Sequence, residues 1–289
     1  MKRPLYSLLL SLLVSPSVFA SSFSLPIWKE KAEALGYELP KPIGFNISYM
    51  SMEQGISVDS IMLKGLDIPG LALDAQDGTQ KTEVVSFRAD VWLFPFLNVY
   101  ALFGILEGYS QTDVDASLTM NIPPLFPGGK PHEYTVNGTI NDFRLDLDGY
   151  TKGVGFVLAG GYGNWFGLVD ASYTQSDLTI IDGQIDAIVV SPRVGYDFNT
   201  HDVPLRVWVG AMYQDVEQHL SGSVADLGLP PGLAGIVPSD ARFEVTQHLT
   251  TPWNPLVGMQ YQINKDWYLL GEAGFGDRQS IFFSIDRRF

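Results

Sequence analysis

Strict alternation of apolar and polar residues, repeated in segment after segment, limits most severely what this chain can fold into. Successive side chains of a strand point to opposite faces. A period of two therefore lets one face meet an apolar medium while the other meets a polar one. Ten segments carry the pattern. Ile43, Phe45, Ile47 and Tyr49 alternate with Gly44, Asn46 and Ser48, and Val85, Phe87, Ala89, Val91 and Leu93 alternate with Ser86, Arg88, Asp90 and Trp92. The others run through 99–105, 154–162, 167–173, 188–196, 205–213, 257–263, 267–275 and 280–289. Hydrophobic residues are 46% of the chain, yet beyond the N-terminus they are dispersed. No later run approaches the roughly 18 uninterrupted apolar residues of a membrane helix.

The connections alternate in length. Short turns lie at 94–97, 163–164, 199–202 and 264–266, while long connections span about 53–81, 111–143 and 216–246, with shorter ones near 176–184 and 276–279. Trp92, Phe94, Phe96, Trp165, Phe166, Phe198, Trp267 and Phe289 cluster at the short turns. Tyr49, Tyr109, Tyr173, Tyr213 and Phe275 sit near the far ends of the segments. The last segment places Ile281, Phe283, Ile285 and Phe289 on one face and ends on the aromatic. Together these features resemble a Gram-negative outer-membrane β-barrel of the class that closes on a terminal Phe. The resemblance implies an all-β, transmembrane, antiparallel up-and-down barrel of about 10 strands over 42–289, with two aromatic girdles, short periplasmic turns and long outer loops. It also implies that both termini are periplasmic, that outer-membrane lipid and lipopolysaccharide surround the barrel, and that Phe289 is a signal to the barrel-assembly machinery. Residues 55–64 and 114–120 also alternate. They extend hairpins above the membrane or raise the count to 12 strands.

Residues 1–20 read as a signal peptide. Lys2 and Arg3 precede a short apolar core from Leu5 to Leu13, and Val18-Phe19-Ala20 supplies the cleavage pattern. Residues 21–41 form a periplasmic segment containing a short amphipathic helix. Trp28, Ala32 and Leu35 share a face, with Pro26 at its start and Gly36 at its end. It either lies on the inner leaflet, favoured by the interfacial Trp28, or plugs the lower lumen. The formal charge of −14 argues against nucleic acid as a partner. The chain has no Cys, which excludes disulfides, thiolate metal sites and a Cys nucleophile.

The lumen phase carries Arg88, Asp90, Asp170, Arg193, Arg206, Glu272, Asp286 and Arg288. Asp170 and Arg193 fall on adjacent strands at similar height and are expected to face each other, with Arg88 and Glu272 on the opposite wall. These charges form either a network that fills a narrow barrel or a charged conduit. Three loop tips are apolar and rich in Pro and Gly, carrying Ile68 and Leu71, then Ile122, Leu125 and Phe126, then Leu229, Leu233 and Ile236. Exposed apolar patches mark binding surfaces, so the tips either meet a protein partner or hydrophobic molecule, or pack on one another. The leading expectation is a non-enzymatic barrel with a structural or surface-interaction role through these tips.

A narrow channel or transporter using the charged lumen is the alternative. A third reading is a surface hydrolase, because ten strands is the size of the omptin proteases and His219 stands near Asp215 and Glu217. No other part of the omptin pattern appears. Asp113, Asp115, Asp142, Asp146 and Asp148 flank one long loop, but their spacing is not that of a calcium loop. No cofactor or metal motif is present.

Overall fold

The computed structural model describes residues 25–65, 69–122, 132–224, 238 and 240–289. The segment expected as a signal peptide lies outside them. One short helix, α1 (Lys29–Ala34), precedes thirteen strands. These are β1 (Ile43–Lys64), β2 (Leu71–Ala75), β3 (Gly78–Phe94), β4 (Leu97–Ile122), β5 (His132–Asp146), β6 (Gly149–Tyr162), β7 (Trp165–Leu178), β8 (Asp182–Asp197), β9 (Leu205–Ser223), β10 (Arg242–Leu249), β11 (Trp253–Gln262), β12 (Trp267–Gly274) and β13 (Arg278–Arg288).

Ten of these close a ring in the order β1-β3-β4-β6-β7-β8-β9-β11-β12-β13 and back to β1. Every neighbouring pair in the ring is antiparallel. The closing pair runs in register from Gly44↔Arg288 to Gln54↔Arg278. Phe289 extends it, its N–H donating to the Ile43 carbonyl at 2.8 Å. The four short turns lie together at one end of the barrel, where each expected turn is found.

The other end is not looped as the sequence pattern predicts. The expected long connections contain the upper halves of strands. β1 has 22 residues, β4 has 26 and β9 has 19, against the roughly 9–11 that a tilted strand needs to cross a bilayer. The alternating stretches at 55–64 and 114–120 are these continuations, and they add no strands to the ring. Instead β2 and β5 flank the upper part of β4. β10 joins the upper parts of β1 and β9, taking the place that β11, β12 and β13 hold lower down.

A reversal of polarity marks where the strands leave the membrane. The outward face of β9 is apolar through Leu205, Val207, Val209, Ala211 and Tyr213, then turns to Asp215, Glu217 and His219. Its inward face changes the opposite way, from Arg206 and Gln214 to Val216, Leu220 and Val224. The period of two never breaks; only the side that meets water changes. β4 does the same, with Val99 to Ile105 giving way to Glu107 on the outside while Val114 turns inward. Above the switch, Leu106, Leu145, Leu147, Leu220, Val224, Ala241, Phe243 and Val245 form a buried apolar core. Ile56, Ile185, Val216 and Leu249 form a second cluster. A bulge between Val58 and Ser60 keeps β1 in phase with it, so that Ile61 and Leu63 oppose Val245 and Phe243.

Below the switch the outer surface is a belt of exposed apolar side chains, including Ile47, Val85, Phe87, Phe103, Val154, Val209 and Phe283. Aromatics rim both edges, Phe96, Trp165, Trp267 and Phe289 at the turns and Tyr49, Tyr173 and Trp253 above. The side chain of Phe166 instead packs against Trp208 at 6.4 Å, and the Trp92 indole N–H is buried. These two aromatics belong to the lumen rather than the girdle. α1 is shorter than expected, because Trp28 adopts a left-handed backbone just before it. Trp28 lies 5.1 Å from Phe94 and 6.2 Å from Phe96, and the Tyr37 hydroxyl donates to the Gly161 carbonyl. The segment thus rests on the rim of the turns.

Phe243 is 1% exposed at the centre of the upper core. Phe243→Ala is expected to cost about 3–5 kcal/mol, while Glu217→Ala on the polar outer face changes stability by less than about 0.5 kcal/mol. Denaturant unfolding of the refolded protein in detergent micelles measures both.

Candidate functional site

Ten strands make a narrow tube, so side chains from facing walls can meet across it. The lumen charges do meet, though not as the sequence pattern predicts. Asp170 stands opposite Ser191 in the ladder, and Leu168 opposite Arg193. The expected Asp170–Arg193 pair is therefore a diagonal one, and each residue turns to a strand farther round the ring. Arg193 on β8 makes a two-pronged bond to Glu272 on β12, Nε to Oε1 and Nη2 to Oε2, each 2.9 Å. Arg88 on β3 faces Asp170 on β7 at 3.8 Å. Both pairs reach past two intervening strands.

The two pairs are built alike. In each, the first intervening strand contributes an aromatic and the second a glycine. The Arg88 guanidinium stacks 3.7 Å from the centre of the Tyr100 ring, and the Tyr100 hydroxyl donates to Asp170 at 2.5 Å. The Trp208 indole N–H donates to Glu272 at 3.3 Å. Tyr100 stands opposite Gly155, and Trp208 opposite Gly258. A Cβ at either glycine would overlap the aromatic ring beside it. Glycine is required there so that the ring can lie against the wall beneath the ion pair.

Toward the turns the network continues. The Arg88 guanidinium donates to the Asn98 amide oxygen at 3.1 Å, and Asn98 donates to Asp90 at 2.9 Å. Arg288 bridges Asp90 and Asp286, each at 3.2 Å. Arg206 pairs with Asp197 at 2.7 Å, a partner absent from the expected set because it lies at the strand end beside a turn. The eight predicted lumen charges fall into three groups, Arg88 with Asp170, Asp90, Arg288 and Asp286, Arg193 with Glu272, and Arg206 with Asp197, in contacts that alternation alone does not specify.

Above these charges lies a belt of amides that the sequence reading missed. Gln218 donates to Gln80 at 2.8 Å, Gln247 to Gln218 at 2.9 Å, and Ser110 to Gln247 at 3.2 Å. The chain links β3 and β4 to β9 and β10. Gln218 is 0% and Gln247 1% exposed. The signal was present in the sequence: Gln214 and Gln218 occupy the inward phase of β9 at the point where polarity reverses.

The remaining candidates do not converge. His219 makes no side-chain hydrogen bond or ion pair among the described residues and shares the outer face of β9 with Asp215 and Glu217. His248 instead meets Asp59 on the surface at 2.9 Å. The acidic residues are satisfied separately. Thr139 and Gln76 donate to Asp115 and hold its carboxyl below the usual range, while Asp113 accepts from the Asp142 N–H at 2.8 Å. Among the described residues no three His, Asp or Glu side chains form a metal-ligating group. Of the loop-tip residues, Leu71 opens β2, where it pairs with Leu118, and Ile122 ends β4, half-exposed. Ile68, Leu125, Phe126, Leu229, Leu233 and Ile236 lie outside the described residues.

A closed antiparallel ring with an apolar outer belt, aromatic rims and a polar interior defines an outer-membrane-type β-barrel. No family model and no curated protein matches the chain. Solved structures align with most of the chain at low identity. The outer membrane protein OprG from Pseudomonas aeruginosa is 13% identical, with a TM-score of 0.40, over 87% of this chain and 99% of that one. A COG4313 outer membrane channel from Pseudomonas putida F1 is 12% identical, with a TM-score of 0.36, over 87% and 97%. The toluene transporter TbuX from Ralstonia pickettii is 10% identical, with a TM-score of 0.33, over 87% and 90%.

Glu272→Leu leaves the Arg193 guanidinium buried without its partner and is expected to cost about 3–5 kcal/mol. Adding Arg193→Met should restore most of that stability, because the apolar pair removes both charges together. A double-mutant cycle by denaturant unfolding tests this; equal losses in the single and double variants would refute it.

Proposed function

We propose that the protein is a non-enzymatic outer-membrane barrel whose lumen is closed, with a structural or surface-interaction role carried by the part that rises above the membrane. One observation carries this reading. At the level where β1, β3, β4, β9, β10 and β13 meet, the inward side chains Gln54, Gln80, Ser110, Gln218, Gln247 and Arg278 are all buried. Along the ladder from Gln218, the inward Ile185, Ser176 and Thr151 on β8, β7 and β6 are buried too, and side chains that water cannot reach all round a tube leave no water-wide path through it. The apolar core above supports the same reading, since it makes the extension a rigid support rather than a vestibule. In this proposal the turn end and both chain ends are periplasmic. The extension is extracellular, standing among lipopolysaccharide, and it carries the apolar Pro- and Gly-rich tips toward a protein partner or small hydrophobic molecule.

The alternative, a narrow channel using the lumen charges, is favoured by the turn end. There Arg88 and Asp170 are each 24% exposed, so water enters the lower lumen. Planar-bilayer recording separates the two. The closed barrel is expected to insert without steady conductance, and sustained single-channel currents from the unmodified protein would overturn it. A rim hydrolase has no support from the geometry around His219.

Phe289 pairs with Ile43 at the ring closure and packs edge-on against Phe45 at 5.8 Å. Arg287 covers it from the lipid side, 4.6 Å from its ring. If this strand is the signal read by the barrel-assembly machinery, Phe289→Ala lowers the amount of folded barrel in the outer membrane several-fold, read as heat-modifiable mobility in gels. The same variant should refold in detergent with little loss.

A further inference from the structure

We propose that the extension docks an extended segment of another protein, apolar on one face and basic on the other, as a strand added to the free edge of β5. The site rests on the surface-interaction role proposed above, to which it adds the partner's chemistry. β6 pairs with β4 on one side and with β7 on the other. β5 precedes β6 in the chain, with only Leu147 and Asp148 between them, and continues its line upward. There it pairs with β4 from Tyr109↔Asp146 to Ile122↔His132. The β7–β8 hairpin turns back between Leu178 and Asp182. Its last main-chain bond to this line is from the Thr179 N–H to the Asp148 carbonyl, at 2.8 Å. Above that level no strand among the described residues pairs with the other edge of β5. An unpaired edge offers main-chain N–H and C=O groups at the spacing of a partner strand, and proteins usually blunt it with charge or proline. Over Tyr134–Ile140 neither occurs, and Tyr134, Thr135, Val136, Thr139 and Ile140 are all strand formers.

The two faces of this small sheet select the partner. Leu71 and Leu73 on β2 stand opposite Leu118 and Ala116 on β4, which stand opposite Val136 and Gly138 on β5. Met120, Ile122 and Tyr134 extend the same face. Lower on β4 the same phase holds the buried Val114, so this face continues the lumen side of the wall. Here it is uncovered, with Met120 42%, Ile122 47%, Tyr134 58% and Val136 47% exposed. A Cβ added at Gly138 would meet nothing within 4 Å, which leaves room for an apolar side chain from an added strand. The opposite face carries Asp74, Asp115 and Glu133, with Asp113 and Asp142 at its base, and residues 71–75, 113–122 and 132–142 include no Lys or Arg. A strand that continues both faces therefore brings apolar residues on one and cations on the other. A second copy of this chain would bring the same carboxylates to the edge, where like charges repel. A small hydrophobic molecule would use the apolar face and leave the main-chain edge unpaired.

The probe is a synthetic peptide in which Val and Lys alternate, added to the full barrel in detergent micelles. Amide hydrogen exchange along β5 is expected to slow when the peptide binds, because the edge N–H groups gain partners. The same peptide with interior prolines cannot complete the pairing and is expected to bind about tenfold more weakly. Tyr134→Lys combined with Val136→Lys is expected to weaken binding by about tenfold as well, since it removes the apolar contact. Both side chains are exposed in the free barrel, so the variant folds. No binding, or binding that leaves exchange along β5 unchanged or survives both changes, would overturn the site. Slow exchange along β5 that grows with barrel concentration and needs no peptide assigns the edge to a second copy and overturns it too. Conductance through the barrel would refute the closed lumen without altering exchange along β5, so the two proposals fail separately.

Discussion

Main-chain N–H and C=O groups inside a hydrocarbon layer have no water to bond, and an extended strand can satisfy them only through neighbours on both sides. The closure of β13 onto β1, from Gly44↔Arg288 to Gln54↔Arg278, therefore supports everything else in this molecule. It removes the last free edge of the ring, fixes the diameter through the number of strands, and brings facing walls close enough for side chains to span the lumen. The cross-lumen pairs Arg88–Asp170 and Arg193–Glu272 are consequences of that diameter. A wider ring would leave the same residues solvated on their own walls.

The same ring is used twice along its axis. Within the apolar belt, charged and polar residues face inward and meet one another. Above the belt the medium outside is aqueous, so the apolar side chains turn inward and the structure resembles the interior of a soluble β-domain. The Gln80–Gln218–Gln247–Ser110 chain lies at the junction, where neither a charge pair nor an apolar contact suits both sides. The substitution of β10 for β11, β12 and β13 at that level gives the upper part its own closure. Arg278 sits at this junction too, beneath the β10–β11 connection.

Much of the fold was legible in the sequence because its cause is local. Alternation reports which phase faces lipid, short turns report the near end, and aromatics report the rims. The eight lumen charges follow the same local alternation. Apart from the alternating stretches 55–64 and 114–120, the upper half of the barrel reads as loops wherever polarity is the mark of exposure. Asp215, Glu217 and His219 looked like a loop when read singly, although Val216, Leu220 and Val224 between them kept the period of two. Position near the turns predicts Trp92 and Phe166 in the girdle, whereas their phase points them inward.

Taken alone, the sequence left ten and twelve strands both open, and it determined that this chain forms transmembrane antiparallel strands and where the four short turns fall. Each of these depends on a residue's own phase and immediate neighbours. Only the tertiary structure decided which inward charges pair, that Gly155 and Gly258 yield their wall space to Tyr100 and Trp208, and that Arg278, among the described residues, meets no carboxylate where the other lumen arginines do. Those outcomes depend on the stagger between strands and on the distance across the tube. Both are properties of the closed ring, and no single strand carries them.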